Sequence, residues 1–156
     1  MKFLILLTIL VSTNLFAKDP TTLKPCGEYA AVDLAEDHKE WTETFNMVNA
    51  KGEIVGIYSY RENEIHAGVC EYIADDNLTV ASEWYYWEND DASANPAEFK
   101  KGIHYWMAQD EGQAFFMVNK TSPKGEVTVQ FSVIGFDEEG DDVELRREVL
   151  TFVKAY

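Results

Sequence analysis

The sequence predicts an all-β fold: a single-domain antiparallel β-meander of eight to nine strands that closes as a barrel or a sandwich. Three features point there. Short runs rich in β-branched and aromatic residues are punctuated by Gly, Pro, Asn and Asp. The connections are of hairpin length, whereas parallel neighbours need crossovers of about a dozen residues or more. Apolar and polar residues alternate cleanly where Val127, Val129, Phe131 and Val133 are interleaved with Thr128, Gln130 and Ser132. A meander of that many strands must close on itself or split into two packed sheets to hide its edges.

The elements follow in order. Residues 28–33 are expected to open the sheet as a strand, with a polar turn near Asp37. The same stretch also carries helical signals, because Leu34, His38, Trp41, Phe45 and Val48 recur at three and four and its Ala- and Glu-rich composition suits a helix. The strand is the reading adopted. Strands follow over 41–49, 53–60 and 64–74, separated by Asn49-Ala50-Lys51-Gly52 and Arg61-Glu62-Asn63. The turn Asp75-Asp76-Asn77 leads into 78–87. A longer acidic connection, 89–102, holds Pro96, and Asn95 is placed to cap one short helical turn near 96–101. Strands resume at 103–108, 114–119, 127–136 and 143–153.

The segment Asn49-Ala50-Lys51-Gly52-Glu53-Ile54-Val55-Gly56-Ile57-Tyr58 resembles a hairpin of avidin-type barrels. The likeness covers ten residues, and Gly27-Glu28-Tyr29 stands where those barrels carry Gly-x-Trp. It implies an up-and-down barrel and names no ligand.

With 156 residues and 46% hydrophobic content, the chain is sized and composed for one globular domain. Its 13 basic residues against 28 acidic ones give a formal charge of −15, which opposes binding to nucleic acid and anionic lipid. The start of the chain reads as an export signal over 1–17: Lys2, an apolar run to Val11, then Leu15-Phe16-Ala17 as a cleavage site. Residues 18–156 would form the exported domain. The apolar run is too short for a membrane span, which needs about 20 residues. A secreted or periplasmic location is therefore expected, and in such an oxidising compartment Cys26 and Cys70 pair as a disulfide.

Known catalytic signatures are missing: no Gly-x-Ser-x-Gly, no His-Glu-x-x-His, no Gly-rich phosphate loop and no Cys-x-x-Cys. No cofactor is implied. Of the three histidines, His66 and His104 fall in strands and could meet across a sheet. Asp137, Glu139 and Asp141 form a weak calcium candidate, since hard cations take clustered carboxylates, but Gly140 and Asp142 stand off the EF-hand pattern.

The most informative feature is aromatic. Trp84-Tyr85-Tyr86-Trp87 puts two rings on each face of one strand, and Tyr105-Trp106 adds to the next. Trp84 and Tyr86 share parity with Leu78 and Val80 and are expected inside. Tyr85 and Trp87 then face outward and, with Tyr105, make the expected ligand-binding surface, since open-face rings suit stacking against a partner. These features predict an exported, non-catalytic binding domain for a small molecule, a glycan or a cationic protein. The alternatives are an acidic inhibitor or scavenger of cationic proteins, and a small hydrolase built on a clustered His–carboxylate site.

Overall fold

The computed structural model describes residues 19–73, 79–89, 91–109, 112–121 and 126–155. The expected export segment 1–17 and the turn residues 75–77 and 122–125 lie outside them.

Nine strands make one antiparallel sheet: β1 (Glu43–Asn49), β2 (Ile54–Arg61), β3 (Glu64–Ile73), β4 (Thr79–Trp84), β5 (Tyr86–Trp87), β6 (His104–Gln109), β7 (Gly112–Thr121), β8 (Val127–Phe136) and β9 (Asp142–Lys154). Their order in space is β4-β3-β2-β1-β9-β8-β7-β6-β5. β4 and β5 terminate that order at opposite ends, yet only Tyr85 separates them in the chain. The sheet therefore curls until its two ends meet, and the architecture is a nearly closed, up-and-down barrel rather than a sandwich. β4 pairs with β3 through Ala67↔Trp84, and β5 pairs with β6 through Tyr86↔Ala108 and Trp87↔Met107. The opposite closure joins β1 to β9 from Phe45↔Lys154 to Asn49↔Leu150.

Period two places the core. Val127, Val129, Phe131 and Val133 point into the barrel, together with Met47, Tyr58, Ile65, Phe116 and Phe152 from the other walls. β2 is buried on both faces from Val55 to Tyr60, and β3 from Ile65 to Cys70. The reason is a cover on the outside.

That cover corrects the expectation for the first segment: instead of a strand over 28–33, the chain forms the helix α1 (Glu28–Asp37). Two physical facts favour it. The edges of β1 and β9 are already paired with each other, so a strand over 28–33 has no place beside β1. The Ala-rich sequence has helical propensity, and Leu34 seats against Ile57 and Cys70 above Gly68, whose missing side chain leaves it room. Gly27 at the N-cap provides no side-chain cap. The helix is instead fixed just before its start by the Cys26–Cys70 disulfide, with Cα atoms 5.4 Å apart, as the cysteine count predicts.

A second correction concerns the aromatic strand. Trp84 is buried inside as expected, but Trp87, not Tyr86, is the second interior ring; Tyr86 is 55% exposed. Tyr85 leaves the ladder between β4 and β5 while its N–H still donates to Ala108 O at 3.2 Å. One residue out of register reverses the faces of everything after it.

Candidate functional site

One mouth of the barrel is closed by the connection between β5 and β6. The expected short helical turn is a 3-10 turn at Pro96–Glu98, and Asn95 caps it by accepting the Ala97 N–H at 2.9 Å. Pro at the first position suits the turn because its missing N–H would have no partner there. Ala94 and Pro96 are buried, and Tyr58 donates its hydroxyl to Ala94 O at 2.6 Å from inside the barrel. Burial, followed by the neighbouring Tyr60 and Tyr105, pushes the Tyr58 phenol well above its ordinary pKa, so it stays a donor.

Phe99 is the stopper. Its ring inserts among Tyr105 (centroids 4.5 Å), Phe116 (5.1 Å), Trp87 (6.0 Å) and Phe152 (6.2 Å). Rings at such offsets and tilts gain both burial and quadrupole attraction. The barrel interior is thereby filled with side chains.

Space opens instead beside the stopper. A cleft of about 910 Å³ is lined by Glu88, Asn89, Asp91, Ala92, Ser93, Glu98, Lys100, Ile103 and Tyr105. The wall is preorganised: Trp87 Nε1 donates to Ala92 O at 2.9 Å, Ser93 Oγ accepts the Asn95 N–H at 3.1 Å, and Tyr105 Oη accepts the Lys100 N–H at 3.0 Å. Ile103, 44% exposed, is the apolar ledge. Three carboxylates face one ammonium around it, so an organic cation or a polar molecule with an apolar face has matching groups here.

Of the aromatic surface residues expected from sequence, Trp87 and Tyr105 come together, 5.4 Å apart and stacked. Tyr105 is 2% exposed and reaches the cleft at its edge, and Trp87 is half-buried behind Ala92. Tyr85 does not join them. It lies on the outer face, stacked on His66 at 4.8 Å.

On that outer face the structure assembles a cluster that sequence spacing did not single out. His38, just past α1, stacks on His66 of β3 with centroids 4.0 Å apart and planes 12° from parallel. His38 Nδ1 is 2.6 Å from Ser59 Oγ, which is 2.7 Å from Thr44 Oγ1. His66 Nε2 stands 3.7 Å from Glu83 Oε1, too far for a hydrogen bond. The expected meeting of His66 with His104 does not occur; His104 is instead beside Phe115 at 6.0 Å. A Ser–His contact beside a His–Glu contact has the residue types of nucleophilic catalysis. But Ser59 and His38 are fully buried under α1, so no substrate reaches either in this arrangement.

The acidic residues proposed for calcium, Asp137, Glu139 and Asp141, have carboxylate atoms within 4.8 Å of one another and are all exposed. They form the β8–β9 hairpin tip, where Asp137 Oδ1 accepts the N–H groups of Glu139 and Asp141 at 2.9 Å and Gly140 supplies φ +87°. That oxygen is committed to holding the turn.

Among the described residues no helix is long and apolar enough to cross a membrane. Comparison with known proteins finds no matching family model, no matching curated protein and no matching solved structure. The fold and the cleft themselves carry the functional reading.

Proposed function

We propose that this chain is an exported, non-catalytic binding domain whose ligand occupies the cleft beside the β5–β6 connection. The observation that carries the reading is the cleft itself: about 910 Å³ of space over Ile103 and Tyr105, on a wall pinned by part-buried hydrogen bonds. A concave site with an apolar ledge and a few fixed polar groups is the usual form of a small-molecule pocket. The disulfide fits export to an oxidising compartment. The test is a thermal-shift screen of small molecules, with hits repeated on Ile103→Arg, a change at an exposed position that fills the cleft. Binders of the native protein should lose their effect on the variant. Hits that shift both proteins equally would remove the cleft from consideration.

A second reading is favoured by charge. Glu88, Asp91 and Glu98 line the cleft of a chain with net charge −15, which suits capture of a cationic protein. Retention on immobilised polylysine should weaken steeply once salt shortens the screening length below about 10 Å. It should also fall in the triple variant Glu88→Gln, Asp91→Asn, Glu98→Gln. Equal retention of the triple variant would assign the attraction to overall charge alone.

A further inference from the structure

We propose that α1 is a flap released by acid: neutral His38 pins its C-terminal end to the outer face of the barrel, and protonation of that ring lets the helix swing out on its disulfide tether. Among the described residues, three points anchor the helix firmly. Cys26 bonds to Cys70 before its start, Leu34 packs on Ile57 and Cys70 at its middle, and His38 is buried just after its end. Only the first of these is covalent.

The His38 site suits a neutral imidazole and disfavours a charged one. Its Nδ1 meets the Ser59 hydroxyl at 2.6 Å, its Nε2 is buried with no hydrogen-bond partner, and one ring face is covered by a second imidazole at 4.0 Å. A proton on Nε2 would sit in a dry place with no acceptor. Nor do the neighbouring charges help. From the helix side, Glu36 is paired with Lys39 in solvent, and Glu40, two residues past His38, is exposed and acts on Arg61. β1 supplies Thr44, while its carboxylate Glu43 is engaged by Lys154 and Tyr60, and the Arg61 guanidinium of β2 lies over Trp41 at 5.2 Å while bonded to Glu64 of β3. β3 also presents His66, and the one carboxylate on β4, Glu83, stands near His66 rather than His38. Tyr85 closes the far face of the His66 ring at 4.8 Å.

Burial, and then the charge of His66, lowers the His38 pKa from 6.5 to about 3. The released ring returns to its ordinary value. Between these two values the released form holds the additional proton, so falling pH shifts the balance toward release. From pH 8 to pH 5 the released-to-docked ratio should rise about 30-fold through His38 alone. Release would uncover the apolar patch at Ile57 and Gly68, while Cys26 keeps the helix close.

Hydrogen exchange of the full chain, corrected for intrinsic rates, reads this directly. Protection of the α1 amides should fall about 30-fold between pH 8 and pH 5, with β8 and β9 unchanged. His38→Gln should keep the helix docked through Leu34 and the disulfide and should flatten its pH response. Equal loss of protection in α1 and the barrel strands, an α1 response that is flat with pH, or a full response in His38→Gln would each overturn the proposal. The wild-type comparison of α1 with β8 and β9 decides the matter even if the variant folds poorly.

Discussion

Phe99→Ala is the most searching test of the plugged barrel. The side chain is 4% exposed and its ring meets Tyr58, Trp87, Tyr105, Phe116 and Phe152. Burying an aromatic ring removes about 150–250 Å² from water, which at about 25 cal/mol per Å² comes to roughly 4–6 kcal/mol before the alanine's own share is subtracted. Large-to-small replacements of buried Phe cost about 3–5 kcal/mol, cavity included. We expect a loss of about 3–5 kcal/mol, a large part of the roughly 5–15 kcal/mol that holds a domain folded. Phe99→Leu, which keeps most of the volume, should cost about 1.5 kcal/mol. Urea unfolding followed by tryptophan fluorescence measures both, and the buried Trp84 and half-buried Trp87 report on the core. A loss below about 1 kcal/mol for Phe99→Ala, with an unchanged denaturant slope, would mean that the ring does not plug the barrel and that the mouth is closed by something else.

Three further outcomes are expected. Gly56→Ala should destabilise by at least about 1–3 kcal/mol, because the new methyl would stand 2.3 Å from Gly68 O and 2.6 Å from Met47 Cε; an unchanged Tm would contradict that packing. Replacing both Cys26 and Cys70 by Ala removes a crosslink between residues 44 apart and should cost about 4 kcal/mol in the chain-entropy account, measured as the shift in urea midpoint against the oxidised protein. Glu43, held below the usual carboxylate range chiefly by its hydrogen bond from Lys154, adds stability above its ordinary pKa that is lost as the pH falls through its lowered one. Because the pair is partly exposed, Glu43→Gln should lose less than about 1 kcal/mol at pH 7 and less again at pH 2.5, by thermal melts at the two values.

Much of this molecule can be read from its residues alone. The strands from 41–49 onward, the Asn95-capped turn and the Cys26–Cys70 bond all follow from local rules: β-branched runs, turn residues, a paired cysteine count. What escaped depends on the whole. Whether 28–33 extends or coils depends on whether the edge of β1 is free to take it, and that is known only once β1 has found β9, more than 100 residues along the chain. The reversal at Tyr85 leaves no local mark, since four consecutive aromatic residues look the same in either register. Parity puts Tyr85 and Trp87 on one face, and that single step separates them; Tyr105, on β6, is interior at 2% exposure. Phe99 sits in a connection, where an apolar residue has no period to betray its burial. The cluster of His38, Ser59 and His66 joins three elements, and a lone histidine after a helix offers no clue to what will cover it.

The two-residue strand β5 has one more consequence. β4 and β5 are not paired with each other, and every other ladder between the described strands has at least five paired positions, but β5 meets β6 at only two. A sheet whose ends are unpaired frays first at its shortest terminal ladder, so thermal opening should begin between Trp87 and Met107 and leave the β1–β9 seam intact. The residues leaving β5 are those that wall the cleft. The thinnest joint in the barrel is thus also the doorpost of its candidate binding site, and local unfolding there would set how fast a ligand enters or leaves.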